Sequence, residues 1–177
     1  MTPDGFADGP YAIIDAEFYE FAHGLLSHTR TIAFGRNTFE QFQARWPAIL
    51  EKDNAPEWQL KMARALNDKH KSVYSSTLKT TTWNNSTIIR QMNAKHVNTY
   101  KQEGEGGLLT FGSLELVSTL IAVNAIDDYY FCMQPLIAGH GNVRLFDKLM
   151  DERRPLQYVD STSLISGVQI IHYQSVR

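Results

Sequence analysis

Three short stretches carry residue types suited to gripping an anion: Gly35-Arg36-Asn37-Thr38, Ser75-Ser76-Thr77 with its polar neighbours, and Gly112-Ser113. Each follows a strand-like run. A chain that leaves a strand at glycine and opens a helix points bare backbone N–H groups at whatever lies in front of it. Glycine permits close approach, and a neighbouring guanidinium or hydroxyl adds donors for phosphate oxygens. A single turn of this kind is an ordinary strand–helix connection. Several on one chain point to a nucleotide, because α/β proteins hold ligands at the carboxyl ends of their strands. The glycine fingerprint of the common dinucleotide fold is absent. Gly104-Glu105-Gly106-Gly107 has the wrong spacing and precedes a strand, and Gly139-His140-Gly141 lacks a third glycine.

Other reactive side chains offer less. Cys132, the only cysteine, sits in the apolar run Asp127-Asp128-Tyr129-Tyr130-Phe131-Cys132-Met133 and reads as a small hydrophobe, with no disulfide possible. The six histidines show no ligand spacing, so no metal is expected, and His140 between two glycines reads as a loop residue. A net charge of −2 with scattered basic residues argues against nucleic acid or an anionic membrane as partner. No apolar stretch approaches the ~18 residues of a membrane span, and the first residues do not resemble a signal peptide. A single cytoplasmic domain spanning residues 1–177 is the expectation.

Positioning those turns requires alternating strands and helices, the pattern of an α/β fold. Asp15 opens a helix reaching about His28, with Phe18, Phe21, Ala22 and Leu25 on one face. Thr31 to Phe34 is a strand stopped by Gly35, and a second helix carries Phe39, Phe42 and Trp46 before Pro47 ends it. Pro56 starts a third helix lasting to Asp68. Ser72–Ser75, Thr87–Ile89 and Leu108–Phe111 are strands, and Asn93 to Gln102 a polar helix. Ser113 caps a further helix with Leu116, Val117, Leu120 and Ile121 as its buried stripe. Tyr129 to Met133, apolar on both faces, predicts a central strand covered on both sides. Leu164 to Ile171 predicts two strands around a Ser-Gly turn. The fold expected is a three-layer α/β/α domain around one mostly parallel, mixed sheet.

Asp4-Gly5-Phe6, Phe34-Gly35-Arg36-Asn37-Thr38-Phe39-Glu40, Trp46-Pro47, Ser75-Ser76-Thr77-Leu78, Trp83, Leu109-Thr110-Phe111-Gly112-Ser113 and Pro135-Leu136-Ile137-Ala138-Gly139-His140-Gly141 follow one another in order. Leu145-Phe146-Asp147 and Ser166-Gly167-Val168 come after them. Together they resemble the dihydrofolate reductase-like family related to the reductase domain of bifunctional riboflavin deaminase-reductases, and the likeness spans essentially the whole chain. The resemblance implies an NADPH site. Gly35, Arg36, Asn37 and Thr38 match the turn that holds cofactor phosphates. Ser75, with Ser76 beside it, matches the serine near the adenosine 2′-phosphate. Phe111, Gly112, Ser113 and Leu116 match the turn and helix start around the pyrophosphate. Asp4 matches the acidic residue near nicotinamide and substrate. Family members often pair as homodimers, and the strand Tyr129 to Met133 would suit a sheet extended across a two-fold.

Two departures stand against that pattern. Family members begin with an apolar strand just before the Asp-Gly loop, whereas this chain starts at Met1-Thr2-Pro3-Asp4, so the usual first strand is expected to be missing, with a C-terminal strand or partner chain in its place. The riboflavin-pathway reductases carry a substrate-binding glutamate where this chain has Thr110, and their phosphate-binding arginines are not evident. The zinc-binding deaminase half is absent, since one cysteine cannot form its Pro-Cys-x-x-Cys pair. The implied activity is hydride transfer from NADPH to a small heterocycle of the ribosylamino-pyrimidine type. The alternatives are reduction of a pterin, reduction of a xenobiotic or antibiotic, or nucleotide binding without catalysis. Nicotinamide carries the hydride and the protein orients it. A carboxylate near the reacting ring would help to protonate or polarise a C=N or C=O bond. Asp4 and Asp15, with Glu17, are the candidates. Their structural alternatives are a braced turn for Asp4 and a capped, charged helix start for Asp15.

Overall fold

The computed structural model describes residues 1–7, 9–91, 97, 99–100, 106–144 and 153–176, which fall into two compact units. One is Tyr19–Thr119; the other joins Met1–Phe18 to Leu120–Arg177. The expected helix over Asn93 to Gln102 and the Leu145-Phe146-Asp147 motif lie essentially outside the described residues.

In the first unit, β1 (Thr29–Gly35) buries Thr31, Ile32, Ala33 and Phe34 in succession, the pattern of a strand covered on both faces. It pairs in parallel with β2 (His70–Tyr74) on one side and β4 (Gly107–Leu109) on the other, and β3 (Ser86–Ile89) extends β2. The order β3-β2-β1-β4 brings the carboxyl ends of four parallel strands to one edge. α2 (Arg36–Leu50) and α3 (Glu57–Asp68) follow β1 and pack on each other. Phe34, Phe39 and Trp83 form an aromatic core, with Phe34 and Phe39 at 5.9 Å and Phe39 and Trp83 at 5.8 Å between ring centroids. Pro47 does not end α2. The helix runs one turn further because Trp46 and Ile49 are both buried, and that burial offsets the one backbone bond Pro47 cannot donate.

The boundaries between units fall inside α1 (Ala16–Ser27) and α4 (Leu114–Ala122). In the second unit, β5 (Asp128–Met133), β6 (Leu156–Ser163) and β7 (Gln169–Ser175) form an antiparallel sheet in the order β5-β7-β6. Among the described residues the strands thus form one parallel and one antiparallel sheet, which with the helices gives the α/β class expected. The middle strand is β7, so the doubly covered centre expected for Tyr129 to Met133 is not found: every residue of β5 is half-buried or exposed. Its aromatics are satisfied by cross-strand neighbours instead, with Tyr129, Phe131, Tyr173 and Tyr158 in ring contact along one face. The β6–β7 turn has Gly167 at φ +85°, and its tip meets the start of α1, where the Ile165 amide donates to Glu17 Oε2 at 2.6 Å. Met1 lies against the end of β5, its amine donating to the Cys132 carbonyl and its carbonyl accepting from the Gln134 amide.

Asp15 caps α1: its Oδ1 accepts from the Phe18 amide at 2.9 Å, and that bond, with the Ser166 hydroxyl next in effect, holds its carboxyl below the usual range. Asp15→Ala should therefore cost about 1 kcal/mol of stability in urea unfolding, and Asp15→Asn much less. Equal losses for both would show that the carboxylate charge, not the cap, matters. Among the described residues no helix is long and apolar enough to cross a membrane.

Candidate nucleotide-binding site

Two of the three turns meet. β1 ends at Gly35, which opens α2 without any side-chain cap, so the amides that begin α2 at Arg36, Asn37 and Thr38 keep their donor capacity. Next to β1, β4 leads through Thr110 and Phe111 into Gly112 (φ +74°) and Ser113 (φ +56°). Two successive residues at positive φ make a sharp turn between β4 and the helix that follows. Serine takes that conformation at a cost, a form of strain that clusters at ligand sites. The Ser113 carbonyl then accepts from the Val117 amide at 3.0 Å and starts α4. A Cβ built on Gly35 would lie 2.0 Å from Ser113 Oγ and 3.9 Å from Leu116 Cβ. Any side chain there would force the Ser113 hydroxyl to move. Phe111 stacks on Phe42 at 6.1 Å, which anchors the turn to α2. Thr110 bonds within its own turn, its hydroxyl donating to the Gly112 carbonyl at 3.2 Å.

The third turn lies at the end of β2. The Ser75 amide donates to the Ile89 carbonyl of β3, and Ser75 Oγ accepts from the amides of Thr77 and Leu78. Arg36 reaches this loop from the start of α2: Nη1 donates to Thr77 Oγ1 at 2.9 Å while Nε donates to Glu40 Oε1 at 2.9 Å. Arg90, which directly follows β3, donates through Nη1 to the carbonyls of Ser75, Ser76 and Leu78. Ser76 between them is exposed. Two guanidiniums thus border one loop next to the start of α2, a grouping of donors suited to an oxyanion. Sequence reading missed Arg90 and gave Thr77 no role of its own. The only available signal for Arg90 was its place one residue past a strand parallel to β2. The turns at Gly35, Ser75 and Gly112 lie in the same unit, Tyr19–Thr119, and between them offer backbone amides, hydroxyls and two guanidiniums, donor types suited to phosphate oxygens.

The carboxylates belong to the other unit. Asp4 sits in a tight loop in which the Thr2 amide donates to the Phe6 carbonyl and Gly5 has φ +91°. Its Oδ2 accepts from the Gly139 amide at 2.7 Å and its Oδ1 from the Ala138 amide at 3.2 Å. The Thr2 hydroxyl and then these amides hold the carboxyl down to about 2. Asp4 is thus a fixed anion at neutral pH, and it braces the Ala138-Gly139 turn. The Cys132 thiol is pushed up by burial, which leaves it un-ionised and unreactive.

The family model for the RibD C-terminal domain matches residues 2–170. Among curated proteins, the chain is 25% identical to an uncharacterized protein, YyaP, of Bacillus subtilis, over 98% of this chain and 90% of that one. Among solved structures, it resembles a putative riboflavin biosynthesis protein from a Shewanella species, with TM-score 0.67 and 15% identity over 99% of this chain and 86% of that one. It also resembles dihydrofolate reductase from Enterococcus faecalis complexed with NADP(H), with TM-score 0.63 and 14% identity over 100% of this chain and 93% of that one.

Proposed function

Because the chain belongs to the RibD C-terminal domain family, a family of riboflavin-pathway and dihydrofolate reductase-like reductases, we propose that it is an NADPH-dependent reductase of a small heterocyclic substrate. The observation that carries this reading is the contact of the Gly35 and Ser113 turns beside a Ser75–Leu78 loop bordered by Arg36 and Arg90. NADPH supplies the hydride when bound. The α2 amides and the Gly112-Ser113 turn hold the pyrophosphate. Ser75, Ser76, Arg36 and Arg90 hold the 2′-phosphate and favour NADPH over NADH. The substrate is a ribosylamino-pyrimidine or pterin, whose C=N or C=O carbon accepts the hydride. Asp4 and Asp15 serve as anions that orient the substrate or stabilise positive charge as it develops, since hydrogen bonds keep both carboxyls ionised. The chain acts as one reductase domain and pairs with a second copy, a state that sedimentation equilibrium reads directly.

Thermal shift with NADPH, NADH and FMN side by side is the first test, and a shift largest with NADPH is expected. Arg36→Ala and Arg90→Ala should each weaken NADPH binding by about 1–3 kcal/mol while leaving NADH affinity nearly unchanged. Equal losses for both cofactors would remove these residues from the 2′-phosphate. Asp4→Asn should lower turnover on a panel of pterins and aminouracils more than it lowers cofactor affinity. Wild-type turnover in that variant would retire the electrostatic role. A second reading, binding without catalysis, is favoured by Thr110, which bonds its own turn where riboflavin-pathway enzymes carry a glutamate. Saturable NADPH binding with no oxidation on any member of the panel would select it.

A further inference from the structure

Asp4 and Asp15 bracket a stretch with little regular structure of its own. Its regular part among the described residues is a single 3₁₀ turn, Gly9–Tyr11, closed by the Ala12 amide donating to the Gly9 carbonyl at 3.0 Å. One such turn does not fix a path by itself, so the course from Asp4 to Asp15 depends on bonds to residues distant in sequence. These go to the segment that follows β5, which belongs to the same unit. The Asp4 carboxylate accepts from the Ala138 and Gly139 amides, and the Tyr11 hydroxyl donates to the His140 carbonyl. Closest to Asp15 in the chain, the Ile13 amide donates to Gln134 Oε1 at 2.7 Å.

Gln134 is built as an anchor. It directly follows β5 and is only 5% exposed. Its amide donates to the Met1 carbonyl at 2.7 Å and its carbonyl accepts from the Leu136 amide at 2.9 Å, so both main-chain groups are engaged. Pro135 after it biases its backbone to an extended conformation. From that held position the side chain bonds a loop 121 residues earlier. An apolar side chain of the same size would fill the space without the cost of burying an amide. What the glutamine adds is an acceptor for a backbone N–H two residues before Asp15. We propose that Gln134 is a positioning residue for the reduction: through the Ile13 amide, with Tyr11 as an outer tie, it sets where Asp15 lies relative to the Asp4 turn. This rests on the roles given above to Asp4 and Asp15 as anions that act on the substrate. A misplacement of about 1 Å can cost on the order of a hundredfold in rate. Loss of an interaction made only in the transition state falls on kcat more than on KM.

The test is steady-state kinetics of the full chain with NADPH on the panel of pterins and aminouracils. Each rate is divided by the number of NADPH-binding sites found by titration, so that misfolded protein is not counted. Gln134→Met keeps the size and removes the acceptor; it should lower kcat by about tenfold or more, change KM less, and leave NADPH affinity within about twofold of wild type. Gln134→Glu restores an oxygen at the same reach in either protonation state and should recover most of kcat. Tyr11→Phe removes only the outer tie and should lower kcat severalfold; it decides the outcome if Gln134→Met does not fold. Wild-type kcat in Gln134→Met, equal losses in the methionine and glutamate variants, or wild-type kcat in Tyr11→Phe where Gln134→Met does not fold would each overturn the proposal and leave the reductase reading standing. Wild type that oxidises NADPH with no member of the panel would instead overturn the reductase reading, and this inference with it.

Discussion

Gly35→Val is expected to lower NADPH affinity at least a hundredfold and to destabilise the fold, the largest effect anticipated for any single change in the cradle. The reason is space, not backbone freedom: Gly35 has φ −79°, open to any residue, yet a Cβ there would stand 2.0 Å from Ser113 Oγ. The smaller change Gly35→Ala separates the consequences. Forcing Ser113 off its position should cost about 1–3 kcal/mol, the usual range for overpacking. Removing the hydroxyl in Gly35→Ala/Ser113→Ala leaves the Cβ atoms of residue 113 at 3.4 Å and Leu116 at 3.9 Å, ordinary contacts, so most of the stability should return. Affinity should not return, because the double variant lacks the Ser113 donor and carries a methyl group where the backbone must approach the phosphates. Urea unfolding and NADPH titration of the four proteins give the coupling energy of the pair. Wild-type stability in Gly35→Ala would mean that the two turns do not touch. Recovery of affinity together with stability would mean that they touch but do not grip the cofactor.

The strand-to-helix turns at Gly35 and Gly112 were legible because their signals are local. Glycine after a β-branched or aromatic run, followed by helical periodicity, is a statement about neighbouring residues, and Gly35 and Gly112 lie where that logic puts them. The same holds for Asp15, whose capping bond spans three residues. What was not legible depends on partners distant in sequence. Arg90 meets Ser75 and Leu78 only because β3 pairs in parallel with β2, and no pattern in the chain states which strands pair. Asp4 finds its amides at Ala138 and Gly139, more than 130 residues away, and those bonds, after that of the Thr2 hydroxyl, lower its carboxyl further and fix it in place. Pro47 misled because local propensity argues for a helix end, while burial of Ile49 argues for another turn and wins. The run Tyr129 to Met133 misled in the opposite direction: its composition matches a central strand, but aromatic side chains bury one another along a single face.

Lys71 shows how a distant partner can also carry an energetic consequence that sequence conceals. It is fully buried on β2, where Nζ donates to the carbonyls of Leu66, Asn67 and Lys69 at 2.9, 3.0 and 2.7 Å and lies 4.6 Å from the centre of the Trp83 ring. These are the carbonyls that α3 leaves without intrahelical partners, joined by that of its exit residue. Lys71→Ala should destabilise by about 3–5 kcal/mol, since it strands the carbonyls and opens a cavity under Trp83. Lys71→Met should cost less, because it keeps the volume and Asn85 Nδ2 still donates to the Asn67 carbonyl. Burial holds the Lys71 ammonium down to about 8, with Asp68 opposing the shift. Below pH 8 both folded and unfolded chains carry the proton, and the full desolvation cost is present. Between pH 8 and about 10.5 the unfolded chain holds the proton more tightly, so the wild type should gain stability with rising pH, by about 3 kcal/mol at most. Lys71→Met lacks this group and should not share the gain. Unfolding free energies of the two proteins measured at pH 7.5 and pH 10 therefore read the buried charge directly: wild type must rise relative to Lys71→Met, and parallel pH profiles would show that Lys71 does not cap α3 as a buried ammonium.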